Sequence, residues 1–178
     1  MEIRLVRMDS SAATFANEFE ALRVGFLNVI ASSYTVYYGD SYQMDRMISG
    51  DSILYACLAD GEVVGASYVK ANLRRGATAV FPERFRRTGI AEAMVQASFT
   101  DFPAQYTILR ANNHGMIRLL VKLNFHRVES PADVLRIAGE EGGQLHDFEA
   151  EGSHLVFGRR SVRRDTERES LTMLYRSR

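Results

Sequence analysis

Residues 80–91 have the side-chain types and the order that bind an anionic group. They read Val-Phe-Pro-Glu-Arg-Phe-Arg-Arg-Thr-Gly-Ile-Ala, which is an apolar strand ended by proline, a short basic turn, a glycine and a helical pattern. The first N–H groups of a helix lack internal partners, and the helix dipole adds about half a positive charge there. Gly89 allows close approach to the backbone, and Arg86 and Arg87 can add charge-assisted bonds. The segment therefore predicts a phosphate-binding loop.

Hydrophobic periodicity predicts the elements around this loop. Apolar side chains from Phe15 to Ile30 recur at helical spacing, whereas residues 53–81 read as a three-stranded meander with an Asp60-Gly61 turn. The full set comprises strands at 2–8, 53–58, 63–69, 78–81, 106–111, 134–137, 154–158 and 171–175, and helices at 15–30, 41–48, 89–100 and 113–123. This order predicts a single α/β domain over residues 1–178, with a divergent extension of its sheet at 126–178.

Composition narrows the classes of function. Lys+Arg and Asp+Glu both number 22, so the formal net charge is zero, and nucleic acid is not expected as a partner. One cysteine, Cys57, excludes an intrachain disulfide. Residues 1–8 lack the apolar core of a signal peptide, and no apolar run reaches membrane-spanning length. We therefore expect a cytoplasmic protein without a membrane partner.

The predicted loop resembles the coenzyme A loop of the GNAT (N-acetyltransferase-related) acyl-CoA acyltransferase superfamily. The family consensus, Arg/Gln-x-x-Gly-x-Gly/Ala, is matched by Arg86, Gly89 and Ala91. A preceding Val-x-Pro-Glu is also usual in that family, and it is matched by Val80, Pro82 and Glu83. The loop follows a meander and opens a helix, which is its place in the family.

A second segment, residues 113–125, resembles the family pattern Asn-x-x-Ala-x-x-Leu-Tyr-x-Lys-x-Gly-Phe. Four positions match in register: Asn113, Leu119, Lys122 and Phe125. Three differ, with Met116 for alanine, Leu120 for tyrosine and Asn124 for glycine. Asparagine tolerates the left-handed backbone conformation almost as well as glycine does, so we expect the last change to be mild.

The resemblance implies a GNAT-like fold, a mixed α+β sheet that is mostly antiparallel, splayed at a cofactor cleft and flanked by helices. It implies acetyl-CoA, or another acyl-CoA, as co-substrate. The pyrophosphate would lie on the backbone N–H groups of Arg87, Thr88, Gly89, Ile90 and Ala91. The pantetheine arm would pair with the backbone of Val80 and Phe81, and the thioester carbonyl would accept an N–H near Phe81. Asn113 would contact the pantetheine or order a water.

The implied reaction is direct attack of an amine on the thioester, which needs a group to take a proton and often an acid for the leaving thiolate. Many family members use the tyrosine of the second motif as that acid, but Leu120 cannot donate a proton. His114, at the mouth of the implied site, is the candidate base because histidine titrates near neutral pH. The alternative for His114 is an exposed histidine in the first turn of a helix.

Other side chains have two readings each. Tyr34, Tyr37, Tyr38 and Tyr42 could form an aromatic wall of the acceptor pocket or a helix-packing cluster. The arginine-rich run 159–168 could be a solvated turn, or it could bind an acidic acceptor or the 3′-phosphate of the coenzyme. Tyr55 and Tyr68 could face the cleft or pack on the sheet. Cys57 is expected to be a small buried hydrophobe, and histidine spacing predicts no metal.

The sequence thus predicts an N-acyltransferase that moves an acyl group, most simply acetyl, to a small-molecule or peptide amine. The alternative is a GNAT-like module that binds coenzyme A or acyl-CoA as a sensor or partner domain. The late strands at 154–158 and 171–175 could pair within the chain or across a homodimer.

Overall fold

The computed structural model describes residues 2–33, 52–71, 73–128, 133, 149–151, 154–156 and 171–177. They form two compact units: Met1–Ala71 with Arg75–Phe102, and Asn72–Arg74 with Pro103–Arg178. Antiparallel sheets and helices alternate along both, which confirms the predicted mixed α/β class. The helix predicted at 41–48 and the strand predicted at 134–137 lie outside the described residues.

The first unit is built on a four-stranded antiparallel sheet in the order β1-β2-β3-β4. Its strands are β1 (Ile3–Asp9), β2 (Ser52–Ala59), β3 (Glu62–Lys70) and β4 (Arg75–Val80). The predicted meander is confirmed, but β4 starts three residues earlier than expected. Gly76 lies within β4, and the ring of Tyr68 lies against it where it would overlap any Cβ.

Two helices cover the two faces of this sheet. Helix α1 (Phe15–Ser33) packs on the face that carries Leu54, Ala56 and Leu58. Helix α2 (Ile90–Asp101) packs on the opposite face, which carries Tyr55 and Cys57. Because both faces are covered, every side chain of β2 is buried, as in the strands of a doubly covered sheet.

The helix faces predicted from periodicity are those that face the sheet. In α1 the predicted stripe is Phe15, Phe19, Leu22, Phe26 and Ile30, and all five are buried or half-buried. Phe19 stacks on Phe15 with ring centroids 5.4 Å apart and meets Phe26 edge-on. In α2, Ile90 and Met94 are buried, as predicted. The two helices therefore pack on the sheet with the apolar residues that helical periodicity predicts.

The second unit has a three-stranded sheet in the order β5-β9-β6 and a separate two-stranded hairpin, β7-β8. The strands are β5 (Gln105–Arg110), β6 (His126–Val128), β7 (Glu149–Glu151), β8 (His154–Val156) and β9 (Leu171–Arg176), and helix α3 is His114–Lys122. The late strands pair within the chain, with β9 antiparallel to both β5 and β6. No helix in the described part of the chain is long and apolar enough to cross a membrane.

Candidate functional site

The predicted phosphate loop joins β4 to α2 in the first unit. After Val80 the chain passes through a cis Phe81-Pro82 bond into a short 3-10 turn at Glu83–Phe85. The Phe85 ring is buried with the α2 side of the sheet, and the guanidinium carbon of Arg84 lies 5.0 Å from its centroid. Phe85 thus anchors the middle of the loop while the residues after it are exposed.

The backbone after this turn presents a row of N–H groups. The N–H of Arg86 donates to the Glu83 carbonyl (2.9 Å), and the first helical bond runs from Ala93 to the Gly89 carbonyl (2.9 Å). Between them, the N–H groups of residues 87–91 have no partner among the residues that the structure describes. Arg87 (φ 64°) and Gly89 (φ 89°) have positive φ angles, whereas Arg86 before them is extended (φ −68°, ψ 146°), so the chain turns sharply between the 3-10 turn and α2.

Gly89 is required for its backbone angle. It is the N-cap of α2 at φ 89°, ψ −6°, in the left-handed region that glycine adopts freely. A Cβ there would meet nothing within 4 Å, so space beside the loop is open. Since Gly89 has no side chain, the helix start is also uncapped. An anion that approaches this surface finds free N–H groups and the positive end of the helix dipole.

The side chains of Arg86 and Thr88 have partners within the loop. Arg86 Nη1 donates to Glu83 Oε1 across 2.6 Å, and both side chains are exposed. Thr88 Oγ1 donates to the Phe85 carbonyl at 2.5 Å. A surface ion pair of this kind contributes only about 0–1 kcal/mol to stability. A phosphate can therefore replace Glu83 as the partner of the Arg86 guanidinium. The pair with Glu83 thus leaves Arg86 available to an anion.

At the edge of β4, the backbone N–H and carbonyl of Val80 are directed away from the sheet, whereas the N–H of Phe81 is bonded within it. The Phe81 N–H donates to the Val64 carbonyl across 3.0 Å, so Phe81 and Val64 are a hydrogen-bonded pair of the ladder. Val80, opposite Gly65, then occupies a non-hydrogen-bonded position, and its N–H and carbonyl point away from β3. Because the Phe81 N–H is part of the sheet, the donor expected near Phe81 would be the N–H of Val80.

The second predicted motif lies in the second unit, where Asn113 is the N-cap of α3. Its Oδ1 accepts the N–H of Met116 at 3.3 Å, so the side-chain oxygen satisfies one of the orphan donors at this helix start. His114 is the first residue of the helix and is exposed. This is the alternative to a catalytic role, an exposed histidine in the first turn of a helix. A catalytic role for His114 stays a prediction.

The C-terminus of α3 explains the tolerated substitution in this motif. Asn124 has φ 65°, and its N–H donates to the Val121 carbonyl at 3.1 Å. The N–H of Phe125 donates to the Leu120 carbonyl at 3.0 Å, which completes a Schellman motif. Leu120 and Phe125 are both buried, and Leu120 is 0% exposed. The position of the family's tyrosine is therefore a core position in this chain.

The remaining candidates are packing residues or lie outside the described part. Tyr55 is buried with its hydroxyl bound to Asp101, and Tyr68 packs on the α1 side of the sheet. Cys57 is buried, and burial raises the pKa of its thiol, which disfavours the reactive thiolate form. The four tyrosines at 34–42 and the arginine run at 159–168 lie outside the described residues. Among residues that are described, no three His, Cys, Asp or Glu side chains are grouped to hold a metal ion.

Sequence reasoning missed three residues that contribute to the packing of α2 on the sheet. Gly65 lies beneath the start of α2, Asp101 ties the end of α2 to the sheet, and Arg75 is buried and donates to Ser98 of α2. An isolated glycine within a strand pattern is a signal of close approach, so Gly65 could have been found. Nothing in the local sequence marks Arg75, whose hydroxyl partners lie on three different elements.

Comparison with known proteins rests on structure alone. No protein-family model matches the sequence, and no curated protein does. Among solved structures, the chain is similar to the ribosomal-protein-S18-alanine N-acetyltransferase from Escherichia coli, with TM-score 0.58 and 12% identity over 96% of this chain and 92% of that one. It is also similar to an acetyltransferase of the GNAT family from Streptococcus pneumoniae, with TM-score 0.59 and 10% identity over 98% and 99%.

A third similar structure is that of Arabidopsis thaliana NAA60 in complex with acetyl-CoA, with TM-score 0.52 and 17% identity over 71% of this chain and 86% of that one. The first two are acetyltransferases, and the third is a protein in complex with acetyl-CoA. At such identities the likeness concerns the path of the chain, which all three share with this protein. The chain therefore has the GNAT fold.

Proposed function

We propose that this protein is an acyl-CoA-dependent N-acyltransferase, most simply one that transfers acetyl from acetyl-CoA to an amine. The observation that carries the proposal is the row of unpartnered N–H groups at residues 87–91, at the uncapped start of α2. A pyrophosphate needs several donors in one place with a positive field, and this loop supplies both. The solved structure of NAA60 with acetyl-CoA supports the choice of ligand.

Different residues of the first unit bind different parts of the acyl-CoA. The N–H groups of Arg87, Thr88, Gly89, Ile90 and Ala91 bind the pyrophosphate, and Arg86 adds a charged donor. Val80 presents its N–H and carbonyl outward from β4, so an extended pantetheine arm can pair with it like an added strand. In this arrangement the Val80 carbonyl accepts an N–H of the pantetheine arm, and the Val80 N–H donates to the oxyanion that develops on the thioester.

The acyl-CoA supplies an activated carbonyl, and the protein supplies placement and a proton acceptor. Much of the rate acceleration comes from holding amine and thioester together, because this replaces a bimolecular encounter. His114 or an ordered water takes the amine proton. The leaving thiolate of coenzyme A departs without the usual tyrosine, because Leu120 has no proton to donate. Asn113 keeps its role as the N-cap of α3.

The acceptor is an amine of a small molecule or of a peptide. Acceptor-dependent release of free thiol from acetyl-CoA, followed with a thiol reagent across a panel of amines and peptides, tests the activity. We expect release only when both substrates are present. Binding of acetyl-CoA with no release by any acceptor would instead identify a coenzyme A-binding sensor module.

A cytoplasmic location and a homodimer are part of the same proposal, and the mass of the particle in solution tests the second.

A further inference from the structure

The two halves of the proposed ligand site meet at Gly65 of β3. On one side, Gly65 pairs with Val80, whose backbone faces the open edge of β4. On the other, its Cα faces the start of α2, where an added Cβ would lie 2.8 Å from Cγ2 of Ile90 and 3.0 Å from Cε of Met94. Ile90 is the first residue of the helix whose preceding N–H groups form the anion loop. One position therefore touches both parts of the site.

Space, and not backbone angle, requires glycine here. The φ of Gly65 lies outside the positive range, and the constraint is the crowding above its Cα. Carbon atoms normally approach to about 3.5–4.0 Å, so a methyl group at 2.8 Å from Cγ2 of Ile90 must displace something. The Cβ of Cys57, 3.0 Å away on β2, belongs to the sheet and cannot yield. Ile90 is stiff at χ1 because it is β-branched, so the start of α2 has to move.

We propose that Gly65 is a positioning residue that sets how deeply the start of α2 lies on the sheet. It thereby fixes the distance between the anion loop at 87–91 and the backbone of Val80. The inference rests on the proposed function, since a single acyl-CoA would contact both. A ligand of fixed length requires that spacing, and a displacement of about 1 Å can cost two orders of magnitude in rate. Gly65 itself touches no ligand.

A glycine of α1, which packs against the other face of β3, provides the control. Gly25 of α1 faces Val63 of β3, and a Cβ on Gly25 would lie 3.0 Å from Cβ and from Cγ2 of Val63. Gly25→Ala therefore also crowds a helix against β3, but this helix does not begin at the anion loop. The two variants perturb packing in a similar way and differ in which helix must move.

The test is the dissociation constant of acetyl-CoA, measured by titration calorimetry on folded protein. We expect Gly65→Ala to weaken binding at least tenfold and Gly25→Ala to change it less than threefold. In the double variant Gly65→Ala/Ile90→Ala the closest contact is gone, and binding should return to within threefold of Ile90→Ala alone. If Gly65→Ala does not fold, this comparison between double and single variant decides the question.

The outcomes separate this inference from the proposed function. Absence of binding by the wild-type protein would contradict the proposed function. Binding by the wild type that Gly65→Ala leaves unchanged would contradict only the positioning role. Equal weakening by Gly65→Ala and Gly25→Ala would also overturn it, because loss of binding would then follow general destabilisation. A double variant that stays tenfold weaker than Ile90→Ala would show that the Ile90 contact is not the cause.

Discussion

The hydroxyl of Tyr55 donates to the carboxylate of Asp101 across 2.6 Å. Arg7 donates to the same carboxylate from Nε at 3.0 Å and from Nη2 at 2.7 Å. Asp101 is the last residue of α2, where the negative end of the helix dipole disfavours a carboxylate. Two donors from β1 and β2 compensate for that location. The end of α2 opposite the anion loop is thus fixed to the sheet.

Asp101→Asn should remove a stabilisation that depends on pH. Burial tends to raise the pKa of Asp101, but the bonds from Arg7 and Tyr55 outweigh it and bring the pKa below its ordinary value. A lowered pKa gives stability that is present above about pH 4 and is lost as the pH falls through the folded-state value. We expect a loss of about 1–3 kcal/mol at pH 7. Urea unfolding at pH 7 and pH 3 measures it, and a gap that stays constant at pH 3 would contradict the assignment.

Arg75 is a buried cation that donates to three hydroxyl groups. It donates to Ser67 Oγ at 2.8 Å, to Thr78 Oγ1 at 3.3 Å and to Ser98 Oγ, and burial lowers the pKa of its guanidinium to about 10. Arg75→Ala should cost about 2–5 kcal/mol, as other large-to-small changes in cores do. Arg75→Met should cost clearly less, because it refills the volume and removes a buried charge. Denaturant unfolding of both variants checks this, and a methionine variant as unstable as the alanine variant would refute it.

Asn124 should accept glycine and reject a β-branched residue. Its φ of 65° lies in the left-handed region, which costs an ordinary residue about 1–2 kcal/mol. We expect Asn124→Gly to stay within about 1 kcal/mol of wild type and Asn124→Val to lose about 2 kcal/mol. Equal stability of the two variants in thermal unfolding would mean that the Schellman motif contributes nothing.

Leu120→Tyr should not restore a general acid. The position is 0% exposed, so a larger ring must be forced into the core at a cost of about 1–3 kcal/mol. Leu120→Met, which conserves the volume, should cost less than about 1.5 kcal/mol and serves as the control. The test compares unfolding free energies and rates of thiol release. A tyrosine variant that is fully stable and turns over more than tenfold faster would show that the hydroxyl reaches the reaction.

The fold was predictable where one residue pattern dominates. The helical stripe from Phe15 to Ile30 and the Asp60-Gly61 turn each follow from local chemistry, and the structure confirms both. The turn from β4 to α2 was predictable because Gly89 and the proline-ended strand mark a strand-to-helix connection. Asn124 was predictable because asparagine is one of few residues that adopt a positive φ.

What escaped prediction depends on pairing between distant segments. The insertion of β9 between β5 and β6 joins residues far apart in sequence, and the three-residue strand β6 is too short to show alternation. The orientation of the Val80 and Phe81 N–H groups depends on the ladder register with β3, which periodicity does not reveal. The roles of Gly65 and Arg75 likewise depend on which helix packs above them.

The most direct test of the account is acetyl-CoA binding to wild type, Gly89→Asp and Gly61→Asp, followed by thermal shift and calorimetry. Gly61 is the matched control, because it has φ 87° against 89° for Gly89, and a Cβ at either would meet nothing within 4 Å. Both aspartates therefore carry a similar backbone strain, but only the one at Gly89 puts a negative charge into the N–H row. We predict that acetyl-CoA stabilises wild type and Gly61→Asp by mass action and leaves Gly89→Asp unshifted. Binding that survives in Gly89→Asp, or no binding to folded wild type, would contradict the claim that this loop holds an acyl-CoA.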